Sequence, residues 1–449
     1  MKRLFSIFLF LAAAITVAAT LYIYNSAVGA SDDAVSSAID MERMERADSV
    51  ICRAIAHREF PGAVLCVVKR ADDARSRGDV LYLKAYGDMQ LYFSRDTLSG
   101  DYRSEPIPMR EDAIFDLASL TKSVGTTLAF MHAMEEGYVT LNGKVKEYIP
   151  DFKTWDSIAP ADKGKSRRKS EQPKVVERRD ITIMQLLTHT SGMPAGVYVP
   201  RFMERFEGQQ LSQEALVDSL ENYLACEERR LFRPGSDMLY SCQNFILLQR
   251  IIERATGESI DSYTTRHIFA PLGLKDTRWN PVGEQWQAQQ RERVVPTEIL
   301  ADGTLLRGDV HDPLARIIMG GVSGNAGLFS TAQDLATIVS MIMNGGEIGE
   351  ERVLSEASVA TMMRIPECYA AHGRALGWDG KSEVGGSVGD LMTPHNVIYH
   401  TGYTGTSLAI DMERGIAIIL LTNRVHPDDG GSVGRTRNVV ANIIMSAIN

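Results

Sequence analysis

A serine and a lysine three residues apart, Ser119 and Lys122, stand in a setting that could make the serine a nucleophile. The apolar run 113–117 leads without glycine or proline into a segment of helical period, which Gly137 can end. The apolar residues at helical spacing are Leu120, Val124, Leu128 and Met131. This pattern predicts a strand-to-helix junction with Ser119 in the first helical turn, near free backbone N–H groups and the positive end of the helix dipole. An ammonium one turn later could take the proton of the hydroxyl, which activates a serine without a histidine base.

The Ser-x-x-Lys spacing does not by itself identify a site. A chain of this composition should contain roughly one or two such matches by chance. A second match, Ser166 with Lys169, lies in a strongly basic loop where an amine stays protonated. The position of Ser119 at a strand-to-helix junction is what separates the first match from the second.

Two further segments could complete a site around Ser119. Residues 234–241 form a turn that delivers Tyr240 just before a helical pattern, and residues 400–406 (His-Thr-Gly-Tyr-Thr-Gly-Thr) open a strand. A phenol whose pKa is lowered by a neighbouring ammonium can act as a general base. A strand-edge N–H opposite the Ser119 N–H would form an oxyanion hole. The glycines of the second segment would let a substrate lie close to the backbone.

Other catalytic patterns in the chain lack the context that they need. Ser387 and Ser432 each lie in a Gly-x-Ser-x-Gly match, but no strand leads into the first and neither Asp nor His follows the second. His395 and His400 are five residues apart with no acidic ligand between them, so we expect neither a metal nor a cofactor. His189 is predicted to cap or bridge loops near the cleft.

Composition places the chain among ordinary globular proteins. Of the 449 residues, 44% are hydrophobic and 23% charged, and the formal net charge of −9 argues against a nucleic-acid partner. The cysteines are odd in number and scattered, so we predict buried free thiols with at most one or two bridges. They are Cys52, Cys66, Cys226, Cys242 and Cys368.

The N-terminus has the pattern of an export segment. Lys2 and Arg3 precede an apolar run over residues 4–24, and small residues at 28–30 suit a signal peptidase. We therefore read residues 1–30 as a signal peptide or an N-terminal membrane anchor. The protein is expected in the periplasm or cell envelope, either soluble or tethered to the inner membrane through residues 4–24.

Strand patterns near both ends and helical patterns between them predict the architecture. We expect a mixed α/β (α+β) fold, in which an antiparallel sheet flanked by terminal helices carries an inserted all-helical lobe. The α/β lobe is predicted from residues 31–135 and 300–449, and the helical lobe from 136–299, with a basic surface insertion at 157–180. The predicted strands are 63–68, 80–85, 406–410 and 416–422, and the predicted helices include 41–56, 211–226, 245–255, 331–344 and 435–448.

In chain order, Ser119-x-x-Lys122, Tyr240 and the triplet 400–402 resemble the serine β-lactamase and penicillin-binding-protein superfamily. Within it the chain is most similar to the class C β-lactamase-like group, which includes DD-peptidases and esterases. Three further stretches carry the resemblance, which extends over residues 45–449: 186–194, 271–277 and 324–331.

The resemblance implies a role for each matching residue. Ser119 would be the acylated nucleophile, and Lys122 and Tyr240 would share the general acid and base work. His400 would be the polar head of the third motif. The backbone N–H groups of Ser119 and Tyr403 would hold the oxyanion. Substrate contacts would come from Thr401, Gly402, Cys242, Asn244 and His311.

Two positions depart from the family pattern. Relatives with lactamase or peptidase activity usually carry asparagine where this chain has Cys242, and a thiol is a poor hydrogen-bond partner. Many relatives carry lysine where this chain has His400, which holds a positive charge less reliably at pH 7. We therefore expect an exported serine hydrolase that acts on an ester or a peptidoglycan-type amide or peptide. The alternative is a catalytically weak penicillin-binding or cell-wall-fragment sensor, and an efficient β-lactamase is the less favoured reading.

Overall fold

The computed structural model describes residues 38–73, 75–158, 175–380 and 388–449. The apolar run 4–24, the second Ser-x-x-Lys match and Ser387 therefore lie outside the described residues. Within the described ranges, no helix has both the length and the apolar character needed to cross a membrane.

An eight-stranded antiparallel sheet is built from the two ends of the chain, as the sequence predicted. The strands are β1 (Gly62–Lys69), β2 (Asp79–Arg95), β3 (Tyr102–Pro108), β4 (Phe115–Asp116), β5 (Trp155–Ile158), β6 (Val175–Arg179), β7 (Arg278–Trp279), β8 (Leu328–Ser330), β9 (Glu347–Ile348), β10 (Glu351–Arg352), β11 (Arg374–Ala375), β12 (Trp378–Gly380), β13 (Val397–Thr401), β14 (Ser407–Asp411) and β15 (Ile416–Thr422). The spatial order of the eight-stranded sheet is β11-β12-β13-β14-β15-β1-β2-β3.

The centre of the sheet is apolar on both faces, because helices cover both. In β1, Cys66 pairs opposite Ile419 of β15, and almost every residue of these two strands is buried. Such continuous apolar runs are typical of strands that are buried on both sides. The terminal helices pack on one face and the helix after β8 packs on the other.

The helices occupy mainly the middle of the chain and its two ends. They are α1 (Met41–Ala56), α2 (Leu128–Glu135), α3 (Val145–Tyr148), α4 (Ile183–Leu187), α5 (Val199–Met203), α6 (Gln213–Asn222), α7 (Cys242–Thr256), α8 (Ile260–Thr264), α9 (Ala288–Arg291), α10 (Ala332–Met343), α11 (Glu356–Met363) and α12 (Gly434–Ala447). The predicted helix at 41–56 is confirmed to the residue, since the side chain of Asp40 accepts the Arg43 N–H and fixes its start. The predicted lobe boundaries stay predictions.

All five cysteines are free thiols. The prediction that they are buried is wrong for Cys52 and Cys368, which are exposed, and holds fully for Cys66 alone. Cys226 and Cys242 are half-buried. Because the hydrophobic core is large, the fold does not depend on covalent cross-links.

Candidate active site

Ser119 lies at a strained corner between β4 and the helix that follows it. It stands in the turn one residue before the helix, which begins at Leu120, so the predicted place in the first helical turn is wrong by one residue. Ala118 has a left-handed backbone with φ of +45°, a region in which a residue with a side chain is strained. The buried carboxyl of Asp116 stabilises this corner, because Oδ1 accepts the Ala118 N–H at 2.8 Å and Oδ2 accepts the His311 N–H at 2.7 Å.

Lys122 is fully buried and faces the serine. Its Nζ lies 3.0 Å from Ser119 Oγ and donates to the Asn325 carbonyl at 2.8 Å. From Lys122 to Thr127 the helix widens into a π-helical segment, and the Thr127 hydroxyl donates to the Lys122 carbonyl at 2.7 Å. Such segments often occur at functional sites. The predicted pairing of the serine with this amine is present in the structure.

Tyr240 completes the arrangement from the loop before α7. Its hydroxyl lies close enough to Lys122 and Ser119 for both side chains to act on its pKa, and Lys122 Nζ lies 5.1 Å from the centre of its ring. The ring of His189 packs on it with centroids 4.5 Å apart, and Nδ1 of His189 accepts the Ser241 N–H at 3.0 Å. His189 therefore joins two loops beneath the tyrosine, in agreement with the bridging role predicted for it.

The pKa values of Lys122 and Tyr240 are both shifted upward, whereas the sequence predicted a lowered pKa for the phenol. Burial lowers the pKa of Lys122, but the nearby Cys242, Tyr240 and Asp312 raise it, and the net shift is upward. Burial raises the pKa of the Tyr240 phenol by more than the Lys122 ammonium lowers it. The prediction that the ammonium leaves the phenol with a lowered pKa is therefore wrong in net direction. At neutral pH the resting site holds an ammonium and a neutral phenol.

His400 is a neutral acceptor. It is buried, and its Nδ1–H donates to the Thr401 carbonyl at 2.9 Å. Burial, followed by the charges of Lys122 and Arg374, holds its pKa well below the usual value for histidine. Its Nε2 therefore carries a lone pair, which finds no hydrogen-bond partner within the described part of the chain. His400 cannot supply the positive charge that a lysine would bring to this position.

The structure places a cation that sequence reasoning missed, Arg374 on β11. Its guanidinium carbon lies 5.4 Å from the centre of the Tyr240 ring, and its Nη1 pairs with Asp379 at 2.5 Å. Nothing in its local sequence distinguishes it among the 48 lysines and arginines of the chain. It reaches the site only because β11 forms the sheet edge beyond β12 and β13.

The predicted substrate-contacting residues divide into two groups. Cys242 is half-buried at the first position of α7. Thr401 ends β13, and Gly402 follows it beside the corner at Ser119. Asn244 is fully buried, accepts the Ser191 hydroxyl at 2.7 Å and lies 3.3 Å from His189 Nδ1. It therefore supports the layer below Tyr240 and has no accessible surface to offer a substrate.

His311, also predicted to contact the substrate, lies at the rim of the cleft. Its ring stacks on the exposed ring of Tyr403 with centroids 5.8 Å apart. Its Nε2 lies 3.2 Å from Glu298 Oε2. These contacts put His311 beside the turn that carries the second predicted oxyanion donor.

That donor, the backbone N–H of Tyr403, belongs to a turn packed against the nucleophile corner. The Thr404 hydroxyl donates to the Asp116 carbonyl at 2.8 Å, and the Thr406 hydroxyl donates to the Leu117 carbonyl at 3.0 Å. Neither the Ser119 nor the Tyr403 amide donates a hydrogen bond to another of the described residues. Two free amides on adjoining turns, beside a serine hydroxyl, can hold the oxygen of a tetrahedral intermediate.

The fold and this arrangement of serine, lysine and tyrosine define a serine hydrolase. The family model for Beta-lactamase matches residues 47–442. A protein of Salmonella agona with the provisional name D-alanyl-D-alanine carboxypeptidase is 31% identical over 411 residues, covering 88% of this chain and 86% of its own length. The N-acetylmuramyl-L-alanine amidase of Bacillus subtilis is 31% identical over 407 residues, covering 88% and 84%.

The solved structure of a class C β-lactamase has the same fold. Its TM-score is 0.61 with 17% sequence identity, and the match covers 91% of this chain and 97% of that one. The family model over residues 47–442 and the relatives at 31% identity show that the chain belongs to the Beta-lactamase family. The expected resemblance and the expected fold class are both confirmed.

Proposed function

We propose that the protein is an exported serine hydrolase that forms an acyl-enzyme on Ser119 and cleaves a peptidoglycan-type peptide or amide, or a related ester. The observation that carries the proposal is the contact of 3.0 Å between Lys122 Nζ and Ser119 Oγ, with the Tyr240 hydroxyl in reach of both. The relatives named as a carboxypeptidase and an amidase support a cell-wall amide or peptide as substrate. The apolar run 4–24 supports export, with the run either removed or kept as an inner-membrane tether.

The proposed reaction has two halves. In the first, the Lys122–Tyr240 pair has already released one of its two protons to solvent. Ser119 Oγ then attacks the carbonyl carbon while its own proton passes to the pair, and the Ser119 and Tyr403 amides hold the oxyanion. The pair returns the proton to the leaving amine or alcohol as the bond to the carbonyl carbon breaks. In the second, water attacks the acyl ester with the same proton relay, which releases the acid and restores the serine.

Because of Arg374, we expect the protein to prefer substrates that end in a carboxylate. His400 is neutral and the Lys122 ammonium is held by Ser119 and the Asn325 carbonyl, so Arg374 is the second cation close to Tyr240 and could bind an anion. A guanidinium that keeps one edge on Asp379 still has N–H donors left for a second carboxylate. A terminal carboxylate of a D-alanyl-D-alanine peptide would fit this requirement.

The test compares a peptide ending in D-alanyl-D-alanine with its C-terminally amidated form. Wild-type protein is expected to prefer the free acid in kcat/KM. Arg374→Gln should lower kcat/KM for the free acid by roughly 10- to 100-fold, because a hydrogen bond to a charged group contributes about 1.5–3 kcal/mol.

Arg374→Lys is the matched control, since it keeps the charge and should retain part of the preference. Turnover of a neutral nitrophenyl ester should change little in Arg374→Gln. Equal losses for the acid, the amide and the ester would contradict a carboxylate role for Arg374. If the wild type turned over neither peptide nor ester in a Ser119-dependent way, the sensor alternative would replace the enzyme proposal.

Cys242 provides a separate prediction about substrate preference. Its thiol stands where an asparagine amide contacts the substrate amide in relatives, and a thiol makes only weak hydrogen bonds. Cys242→Asn is therefore expected to raise the ratio of amide or lactam turnover to ester turnover by about 10-fold, the effect of one hydrogen bond of about 1–1.5 kcal/mol. Parallel kcat/KM measurements with a penicillin, a peptide and a nitrophenyl ester check the ratio.

Cys242→Ala, which adds no hydrogen-bonding group, is the control for this substitution and should keep the wild-type ratio. An unchanged ratio in Cys242→Asn would mean that the side chain at position 242 does not contact the substrate amide.

A further inference from the structure

The turn over residues 402–406 contains the second oxyanion donor and is held from behind by the C-terminal helix. Arg437 of α12 extends its guanidinium under this turn. Its Nη2 donates to the Thr406 carbonyl at 2.7 Å and to the Gly402 carbonyl at 3.3 Å. The Gly402 carbonyl also accepts the Gly405 N–H at 3.1 Å, so Arg437 adds a second, charged donor to it. No other helix of the described chain sends a charged side chain to these carbonyls.

The Gly402 carbonyl and the Tyr403 N–H belong to one peptide unit. This unit is trans, so its C=O and N–H point in opposite directions within a rigid plane. A donor bound to the carbonyl on the protein side therefore fixes the direction of the N–H on the other side. A charged donor also polarises the unit, and hydrogen bonds in such chains strengthen one another by about 10–30% each.

The next peptide unit is fixed as well. Nε of Arg424 donates to the Tyr403 carbonyl at 2.7 Å, and its guanidinium lies over the Tyr403 ring, 4.6 Å from the centre. Arg424 is compensated by Asp429, 2.8 Å away, which also accepts the Tyr403 hydroxyl. The guanidinium group of Arg437 thus binds the Gly402 carbonyl, and that of Arg424 binds the Tyr403 carbonyl.

Arg437 differs from Arg424 because no carboxylate pairs with it among the described residues. It is half-buried beside Val440 and Ala441, against the sheet, and its Nε is buried without a hydrogen-bond partner among the described residues. Burial, with a smaller effect of the Arg424 charge, lowers the pKa of Arg437 to about 10. Burying Nε without a hydrogen-bond partner, on a guanidinium that no carboxylate compensates, costs stability, and an apolar side chain would avoid that cost. Stability alone therefore does not explain an arginine at this position.

We propose that Arg437 is a positioning residue for the oxyanion hole, which directs the Tyr403 N–H into the cleft and strengthens it as a donor through the Gly402 carbonyl. This inference rests on the proposed acyl transfer at Ser119. It assigns a catalytic consequence to a side chain on the far side of the turn, out of contact with the substrate.

The test replaces Arg437 with methionine, which keeps an unbranched apolar stem and removes every donor. We expect kcat for a nitrophenyl ester to fall roughly 10-fold or more with little change in KM, because removing an oxyanion donor outright costs about 10²–10³-fold. The affinity for an arylboronic acid, whose tetrahedral adduct on Ser119 imitates the intermediate, should fall by the same factor as kcat/KM. Arg437→Lys, which can reach one of the two carbonyls, should recover part of both losses.

Val440→Ala on the same helix is the control for stability. It removes buried volume three residues from Arg437 and should lower the melting temperature while leaving kcat and boronate affinity at the wild-type values. Arg437→Met with wild-type kcat and boronate affinity would overturn the inference while the proposed function stands. A wild-type protein without Ser119-dependent turnover would overturn both, so the two failures can be told apart.

Discussion

Replacing Ser119 with alanine is expected to lower kcat/KM for ester and peptide hydrolysis by at least about 10³-fold and to abolish covalent labelling, because the Ser119 hydroxyl is the aliphatic alcohol in contact with Lys122 Nζ. The substitution removes one oxygen from a half-buried position, so folding should be unaffected. Lys122→Ala should cause a loss of similar size, since the serine then has no partner for its proton. The double variant should be no worse than the more damaging single one, because residues that act as a unit give non-additive losses.

The chain contains its own control for this experiment. Ser166→Ala disrupts the second Ser-x-x-Lys match and should keep wild-type kinetics. Steady-state kcat/KM for a nitrophenyl ester, together with intact mass, checks all four variants. Hydrolysis that persists in Ser119→Ala, or is lost in Ser166→Ala, would refute the assignment of the nucleophile.

Tyr240→Phe is expected to lower kcat by about 10²–10⁴-fold, the range typical of a general acid–base group. The change deletes the hydroxyl that lies near Ser119 and Lys122, while the ring keeps its packing on His189. KM should therefore change much less than kcat. Tyr148→Phe, a hydroxyl far from the cleft that donates to the Tyr138 carbonyl, is the control and should retain full activity.

The pH profile provides a second readout of the same group. The net pKa shifts of Lys122 and Tyr240 are both upward, so below those pKa values the resting site carries both protons and lacks a base. The kcat/KM of the wild type should therefore rise as the pH rises from neutral into the alkaline range. In Tyr240→Phe the rise should be weaker, because the phenol no longer titrates. An unchanged profile and unchanged kcat would remove Tyr240 from the mechanism.

The parts of the fold that local patterns determine were predictable. The helix at 41–56 combines an N-cap, Asp40, with an amphipathic period, and the strand at 416–422 is a continuous apolar run, so both match the structure. The strand predicted at 80–85 is much longer in the structure, Asp79–Arg95. Its second half alternates with charged and polar residues, and it is ordered by pairing with β3.

The nucleophile corner shows where local patterns stop being sufficient. The sequence predicted a helix start at Ser119, but Ala118 takes a left-handed backbone and shifts the serine into the preceding turn. That conformation depends on the Asp116 carboxyl, whose second oxygen is held by the amide of His311, 195 residues later in the chain. No short window of sequence contains that contact.

The motif residues of the candidate site were predictable from the sequence, but the arginines that reach the site and the neutral state of its histidine were not. Ser119, Lys122 and Tyr240 come together as expected, whereas Arg374 and Arg437 reach the site from a sheet edge and from the last helix. Their roles depend on contacts across the fold. The neutrality of His400 likewise follows from burial and from two cations that its own sequence neighbourhood does not contain.

The central claim is that Ser119 carries the acyl group, and rapid acid quenching followed by peptide mapping tests it most directly. Protein mixed with a short-chain nitrophenyl ester is quenched during turnover, digested and analysed by mass spectrometry. We expect one acyl group per chain, on the peptide that contains Ser119, and none in Ser119→Ala. An acyl group on any other residue, or turnover by Ser119→Ala at the wild-type rate, would contradict the account.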